Sequence, residues 1–166
     1  MTSDPSPVFR TATEADRPLI RRLHELADSW GDEPAERGES FEKDEARYVD
    51  QWSADADGGI IVEIGGEVAG GAWLRHFTED NPGWGYVADE YPEVAIALES
   101  EHTGRGLGGE LMRRILDFAR EQGAPGVCLS VEVGNERAIR SYKKVGFELV
   151  GDGDDGAGGY TMLYRF

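Results

Sequence analysis

Apolar positions in the first third of the chain follow a strand spacing and then a helical one. Residues 8–11 predict a short strand. Thr13 and Asp16, three positions apart, form a capping-box pair that marks the start of a helix. The buried face of that helix is predicted to be Leu19, Ile20, Leu23 and Leu26. After a loop at 31–39, a second helix is predicted over residues 40–53. Its apolar side is Phe41, Tyr48, Val49 and Trp52.

Two strand-like runs surround a glycine pair in "GGIIVEIGGEVAGGAWLRHF". Gly65-Gly66 is the kind of dipeptide that a two-residue turn favours, so the segment predicts a β-hairpin. The following segment, "TEDNPGWGYVADEYP", is rich in Gly, Pro and aromatic residues and predicts a long loop. Long loops in compact domains are often functional.

From Glu93 onward, strands and helices alternate. The predicted order is strand "EVAIAL", a glycine-rich loop, a helix over 107–122 ended by Gly123, strand "VCLSVEV", a helix over 135–145, strand "FELVG" and strand "YTMLYRF". The acidic "GDGDDGAGG" lacks the ligand spacing of a calcium loop and predicts a hairpin loop. The pattern predicts an α/β fold with a strand-helix-strand crossover. Because no linker or repeat interrupts it, we expect one domain over residues 1–166.

Composition narrows the possible functions. The net charge is −16, from 33 acidic and 17 basic residues. An acidic protein of this kind repels phosphate backbones and attracts cationic amines, so we expect no nucleic-acid partner. Neither an eighteen-residue apolar run nor a signal sequence is visible, and we expect a cytoplasmic protein with no membrane contact. Cys128, the only cysteine, lies in an apolar strand as a predicted core residue. We expect no metal site, because the three histidines lack ligand spacing.

The segment "HTGRGLGGELMRRI" places four glycines at the start of a helix. Bare main-chain N–H groups at a helix N-terminus bind anions, so the segment predicts a phosphate-binding loop. A Walker A loop is excluded because Glu110 follows Gly109. Gly104, Gly106 and Gly109 do match a dinucleotide fingerprint, with Glu132 as the ribose-binding acid. Against an oxidoreductase of that type, "ESEHT" separates the strand from the first glycine, and too few residues follow for the second half of the sheet.

Two segments, "PEVAIALESEHTGRGLGGELM" and "NERAIRSYKKVGFELVG", together resemble the coenzyme-A-binding core of the GNAT superfamily of N-acetyltransferases. The resemblance covers about residues 93–151, and "FRTATEADRPLIRRLHEL" is similar to that family's first strand and helix. It implies a mixed, mostly antiparallel central sheet flanked by helices and splayed at a cofactor cleft. It also implies acetyl-CoA as the cofactor and direct transfer of the acetyl group to an amine, without an acyl-enzyme.

The resemblance implies cofactor contacts from the end of the central strand, from the glycine loop and from the last helix. These predicted contacts are Ala97, Leu98, Glu99, Thr103, Gly104, Arg105, Gly106, Leu107, Gly108, Gly109, Asn135 and Tyr142. The family's loop begins with Arg or Gln, where this chain has Thr103. A threonine offers no guanidinium fork to a pyrophosphate, so we expect weaker cofactor binding with Arg105 in partial compensation.

Direct transfer requires a base and an acid. An alkylamine with a pKa near 10 is only about 0.1% neutral at pH 7, so its proton must be removed. Glu93 matches the position at which several family members place a base, and Glu99 lies just past the end of the same strand. Other members use water alone. In the family, the tyrosine that corresponds to Tyr142 is the usual general acid.

The amine acceptor in this family is bound by the first helices and the loop before the central strand. The candidates for this role are Trp73, Arg75, Phe77, Trp84 and Tyr86. The aromatic residues fit a cation-binding pocket and a core equally well, and Arg75 would recognise a carboxylate on the acceptor. The resemblance implies that the acceptor is a small-molecule or peptide amine, and it allows a homodimer. The alternative is a non-catalytic acyl-CoA-binding module, which Thr103 favours and Tyr142 disfavours.

Overall fold

The computed structural model describes residues 6–28, 41–102, 106–132, 135–151 and 159–166. In these ranges the strands are β1 (Val8–Thr11), β2 (Gly59–Ile64), β3 (Glu67–Arg75), β4 (Glu93–Leu98), β5 (Gly126–Glu132), β6 (Glu148–Gly151) and β7 (Gly159–Arg165). The helices are α1 (Arg17–Asp28), α2 (Phe41–Glu45), α3 (Leu107–Glu121) and α4 (Glu136–Val145). Two 3₁₀ turns, Glu14–Asp16 and Ser100–His102, and one π-turn, Ala46–Asp50, complete the described elements.

All described strands belong to one sheet in the order β1-β2-β3-β4-β5-β7-β6. Every neighbouring pair is antiparallel except β4 and β5, which are parallel and joined by the crossover through α3. The predicted mixed, mostly antiparallel sheet is therefore confirmed. A doubly wound dinucleotide-binding fold, which needs a largely parallel sheet, does not fit this topology.

The two faces of the sheet bury separate apolar cores. Core 1 lies under α3 and α4 and contains Leu111, Ile115 and Ile139. Core 2 lies under α1 and the π-turn and contains Leu23 and Val49. In the part of the chain that the structure describes, no helix has the length and apolarity needed to cross a bilayer.

Most element boundaries in the structure agree with the local signals in the sequence. The capping box of Thr13 and Asp16 is present. Gly65 and Gly66 both have positive φ, 62° and 84°, as a tight hairpin turn requires. The described helical segment is shorter than the predicted residues 40–53: α2 ends at Glu45, and the π-turn that follows it ends at Asp50. The predicted loops at 31–39 and 152–158 lie outside the described residues.

A buried ion pair ties the turn before β2 to the end of β3. The Asp57 carboxylate accepts hydrogen bonds from Arg75 Nη1 at 2.8 Å, from the Ser53 N–H at 2.9 Å and from the His76 N–H at 3.0 Å. Both charged side chains are almost fully buried. Although burial opposes ionisation, the hydrogen bonds to His76, Ser53 and Arg75 keep the pKa of Asp57 below its ordinary 3.8. Removing either partner would leave an uncompensated charge in the interior.

Replacing Asp57 by alanine should therefore lower the free energy of unfolding by about 3–5 kcal/mol at pH 7. Exposed Asp55→Ala in the same turn is the control and should change stability by less than about 0.5 kcal/mol. Since the folded pKa of Asp57 is depressed, its contribution is present above about pH 4 and is lost as the pH falls further. Urea titrations of both variants at several pH values measure this. Equal stability of the two variants would contradict the analysis.

Candidate active site

The strands β4 and β5 separate almost as soon as they meet. Their described residues share one register pair, Glu93 with Cys128, where the Cys128 N–H donates to the Pro92 carbonyl at 2.9 Å. Beyond this pair, β4 remains bonded to β3 and β5 remains bonded to β7. The resulting fork leaves one main-chain edge of each strand without a neighbouring strand.

The register of β3 and β4 determines which β4 residues face the fork. The Glu99 N–H donates to the Ala69 carbonyl at 2.8 Å, so the main-chain groups of Glu99 point toward β3. In an antiparallel pair this direction alternates, and those of Ala97 also point toward β3. The N–H and C=O groups of Ile96 and Leu98 point into the fork. Of the three predicted strand contacts, only Leu98 has main-chain groups that point into the fork. Ile96 shares this direction, and the sequence pattern does not reveal it because it does not show which alternate set is paired.

The N-terminus of α3 lies beside the open end of β4. Gly106 is its N-cap, with a φ of 78°, and the first intrahelical bond runs from the Glu110 N–H to the Gly106 carbonyl at 3.3 Å. The helix therefore offers no acceptor to the N–H groups of Leu107, Gly108 and Gly109. A Cβ at Gly108 would lie 3.5 Å from Leu98 Cδ1, which shows how closely the two elements approach. Thr103, Gly104 and Arg105 lie outside the described residues.

Glu93 lies at the point where the fork begins, with 3% of its surface exposed. One carboxylate oxygen accepts a hydrogen bond from the Tyr48 hydroxyl, and the other accepts one from the Gly85 N–H at 2.8 Å. Burial raises the pKa of Glu93 from 4.5 to about 7, against the opposing effect of these hydrogen bonds and of Arg47 and Arg75. The site thus contains a carboxyl group that exchanges a proton near neutral pH.

The loop between β3 and β4 covers this carboxylate. A Cβ at Gly85 would lie 2.5 Å from the carbonyl carbon of Leu129, and one at Gly83 would lie 2.6 Å from Glu93 Oε1. Only glycine allows such close approach at both positions. The two glycines in "PGWGYV" were the available signal for this contact, although the sequence did not reveal what they approach.

Three of the predicted acceptor contacts are core residues. Arg75 is 6% exposed, pairs with Asp57 and donates to the Arg47 carbonyl at 2.5 Å. Trp73 and Phe77 are also buried, in core 2. These placements do not fit contact with an acceptor, because the side chains are enclosed by the protein and the Arg75 charge is already neutralised.

Trp84 and Tyr86 remain near the surface on the covering loop. Trp84 is 39% exposed, and its indole N–H donates to Asp44 Oδ1 at 2.7 Å while the Arg47 guanidinium lies 5.7 Å from its ring centre. The Tyr86 hydroxyl donates to Asp89, which raises the pKa of Tyr86 to about 12. These two aromatic residues are therefore the predicted acceptor contacts that the structure leaves accessible.

The last helix holds the remaining predicted residues. The Asn135 side chain caps α4 by accepting from the Ala138 N–H at 3.4 Å. Tyr142 is half-buried at the edge of core 1, with its ring centre 6.0 Å from that of Phe147. Burial raises the pKa of Tyr142 to about 12, so its hydroxyl keeps its proton at neutral pH.

The second candidate carboxylate, Glu99, lies at the other end of β4. It is six positions along the strand from Glu93, a span of about 20 Å, so the two cannot serve one reacting centre. Glu99 pairs with the Arg22 guanidinium at 3.4 Å. Glu93, at the start of the fork, is the carboxylate with the raised pKa.

Comparison with known proteins gives consistent matches. The model of the acetyltransferase (GNAT) family matches residues 20–147. Mycothiol acetyltransferase from Corynebacterium aurimucosum is 33% identical over 134 residues, which are 77% of this chain and 41% of that protein. Streptothricin acetyltransferase from Streptomyces lavendulae is 31% identical over 145 residues, 82% of this chain and 61% of that protein. The chain therefore spans about two-fifths to three-fifths of the length of these relatives.

Solved structures share the fold. The yncA putative acetyltransferase from Salmonella typhimurium, with acetyl-CoA, has a TM-score of 0.68 and 19% identity, covering 96% of this chain and 94% of the other. The PaiA N-acetyltransferase from Thermoplasma acidophilum, in complex with coenzyme A, has a TM-score of 0.69 and 15% identity, covering 97% and 99%. The fold agrees with the family-model match, which extends over well more than half of the sequence. The chain belongs to the acetyltransferase (GNAT) family.

Proposed function

We propose that the protein is an acetyl-CoA-dependent N-acetyltransferase that moves the acetyl group directly to an amine. The observation that carries this proposal is the fork between β4 and β5, which opens beside the bare N–H groups of α3. An extended amide-bearing ligand can pair with the strand edge while its anionic end lies at the helix N-terminus.

The residues present fit acetyl-CoA. The main-chain groups of Ile96 and Leu98 would pair with its pantetheine amides, and the N–H groups of Leu107, Gly108 and Gly109 would hold its pyrophosphate. No Cβ narrows the approach at Gly106, Gly108 or Gly109. When bound, acetyl-CoA supplies a thioester carbonyl that an amine can attack. The Ile96 N–H, nearer to Glu93 than the Leu98 N–H, would orient that carbonyl and stabilise the charge that develops on its oxygen, while the Ile96 carbonyl and the Leu98 main chain pair with the pantetheine amides.

Glu93 is the base in this proposal. With a pKa of about 7 it is ionised in a large fraction of molecules at neutral pH and still basic enough to accept a proton from an ammonium group. Because the carboxylate is 3% exposed under residues 83–86, we propose that the proton of the amine reaches it through a water molecule and not by direct contact. The segment is held over Glu93 by main-chain bonds from Trp84 and Gly85, each contributing about 1 kcal/mol.

Tyr142 is the acid in this proposal. Its pKa of about 12 means that the hydroxyl keeps a proton to give to the leaving sulfur. Ring packing against Phe147 would hold the phenol in one orientation.

Calorimetry with acetyl-CoA, followed by a free-thiol assay over a panel of small amines and peptide N-termini, tests the proposed function. We expect binding and thiol release with at least one amine. The net charge of −16 supports a cationic acceptor. Binding without turnover on every amine would support a non-catalytic acyl-CoA-binding module instead.

Two glycines with the same backbone geometry allow a matched test of cofactor binding. Gly106, before α3, and Gly123, after it, have φ values of 78° and 92°, and a Cβ would meet no atom within 4 Å at either position. Each alanine substitution should cost about 1 kcal/mol of stability through the left-handed backbone. Gly106→Ala should also weaken acetyl-CoA binding by about tenfold or more, measured by calorimetry. Equal acetyl-CoA affinities of the two variants would contradict phosphate binding at the N-terminus of α3.

The Glu93→Gln variant should lower kcat by about 100-fold or more and remove the acid limb of the pH–rate profile near pH 7, with unchanged acetyl-CoA affinity.

The pH dependence of stability gives a second readout of the Glu93→Gln variant. Between pH 4.5 and about 7, Glu93 is mostly protonated in the folded protein and mostly ionised in the unfolded chain, because folding raises its pKa. The wild type should therefore lose about 3 kcal/mol relative to the variant as the pH rises through this window. If the acid limb of the pH–rate profile persists in Glu93→Gln, Glu93 is not the base.

Tyr142→Phe should lower turnover by about 100-fold while acetyl-CoA affinity changes little, because only the proton donor is lost. Tyr164→Phe, another half-buried tyrosine packed on Phe147, is the matched control and should retain full turnover. Calorimetry and the thiol assay on both variants measure the difference. A large loss of affinity in Tyr142→Phe would mean that this residue binds the cofactor rather than donating a proton.

A further inference from the structure

We propose that Tyr48 is a positioning residue for the base: its hydroxyl fixes the Glu93 carboxylate at the fork and links it to the loop that covers the site. This inference rests on the proposed function, in which Glu93 accepts the proton of the amine. It assigns a chemical role to a residue that the sequence places only on the apolar side of a helix.

The hydroxyl of Tyr48 is bonded on both sides. It donates to Glu93 Oε2 and accepts from the Trp84 N–H at 2.9 Å. The Gly85 N–H, next along the loop, holds Glu93 Oε1 at 2.8 Å. Both carboxylate oxygens are therefore held by donors, and one of those donors is itself oriented by the loop. A hydroxyl that receives an N–H bond is polarised and becomes a stronger donor to the carboxylate.

The main chain of Tyr48 is also fixed. Its carbonyl accepts from the Trp73 indole N–H at 2.9 Å, and the adjacent carbonyl of Val49 accepts from Arg17 Nη1 at 2.6 Å. The Arg47 carbonyl accepts from Arg75 Nε. Carbonyl groups at the end of a helical segment lack intrahelical donors, and here side chains from β3 and α1 supply them. The buried Trp73 and Arg75 thus serve the site indirectly, by holding the π-turn that carries Tyr48.

Ring contacts complete the placement of Tyr48. Its ring stacks on that of His24 with centres 6.0 Å apart, and meets the edge of Phe77 at 5.1 Å. The side chain is consequently wedged between α1 and the end of β3. A phenylalanine at position 48 keeps these ring contacts but loses the hydrogen bond to Glu93. The effect of the hydroxyl can therefore be measured separately from that of the ring.

Among the residues that the structure describes, the charged and titratable groups that act on Glu93 come from three elements. Arg47 and Tyr48 belong to the π-turn, Arg75 to β3 and Cys128 to β5. The two arginines favour the ionised form at a distance, and the Cys128 thiol is neutral because burial raises its pKa. Burial also raises the pKa of Tyr48 well above 10, so this phenol stays a hydrogen-bond donor across the range in which Glu93 titrates. Its bond is the largest of the effects that favour the Glu93 carboxylate over the acid.

Tyr48→Phe is the direct test, read by carbon-13 NMR titration of the Glu93 carboxyl in the full chain and by the pH–rate profile with the best amine of the panel. We expect the Glu93 pKa and the acid limb of the profile to rise together by about one pH unit. Tyr91→Phe is the matched control: Tyr91 is half-buried two residues before Glu93, but does not hydrogen-bond its carboxylate. That variant should leave both readouts unchanged.

A second variant keeps the inference testable if Tyr48→Phe does not fold. Site-specific 3-fluorotyrosine at position 48 keeps the shape of the ring and makes the hydroxyl a stronger donor. It should move the Glu93 pKa and the acid limb in the opposite direction, to lower pH. A uniform loss of rate with no shift of either readout in these variants would overturn the positioning role.

The outcomes separate the inference from the function on which it rests. If Glu93→Gln retains the acid limb, Glu93 is not the base, and the catalytic role of Tyr48 falls with it. If Glu93→Gln loses the limb while Tyr48→Phe leaves it in place, the proposed base stands and only the role of Tyr48 is overturned. Joint shifts of the NMR titration and the limb support both.

Discussion

The early separation of β4 from β5 is the constraint on which the rest of the structure depends. A parallel pair would normally satisfy the inner main-chain groups of both strands, and an unpaired buried group costs about 1–3 kcal/mol. Here the described strands share one register pair, at Glu93 and Cys128. The fold tolerates this because the outer edge of each strand is fully paired with β3 or β7. The open inner edges are available to an extended ligand, as the proposed pairing with the cofactor requires.

The same separation explains the environment of Glu93. At the start of the fork the carboxylate is covered by the π-turn and the β3–β4 loop, so it loses water but gains only two hydrogen bonds. The desolvation penalty exceeds the gain from these donors, and the pKa rises to about 7. A surface carboxylate would be a weak base at neutral pH. Burial at the fork therefore turns an ordinary strand-end charge into a group able to accept the proton of an amine.

Local patterns in the sequence were sufficient for much of the fold. Alternation and the Gly65-Gly66 pair located the hairpin, and Gly123 marked the end of α3. The site was less predictable because its decisive contacts join residues far apart in the chain. Arg75 seemed to be a free cation from sequence, but its partner Asp57 lies 18 positions earlier, in a turn. Tyr48 looked apolar because nothing near it in sequence reveals Glu93, 45 positions later. Likewise, no pattern in "EVAIAL" reveals which alternate main-chain groups face the fork.

The arrangement around Tyr48 also gives a reason why the proposed base, Glu93, is held by residues from several elements. An isolated carboxylate in an apolar interior would stay protonated, whereas one with too many donors would be too weak a base. The Glu93 site lies between these limits because Tyr48 and Gly85 each supply one donor. Trp73 and Arg75 fix the π-turn that carries Tyr48, and Gly85 packs against β5. The basicity of Glu93 is thus a property of the geometry between the π-turn, the loop and the fork.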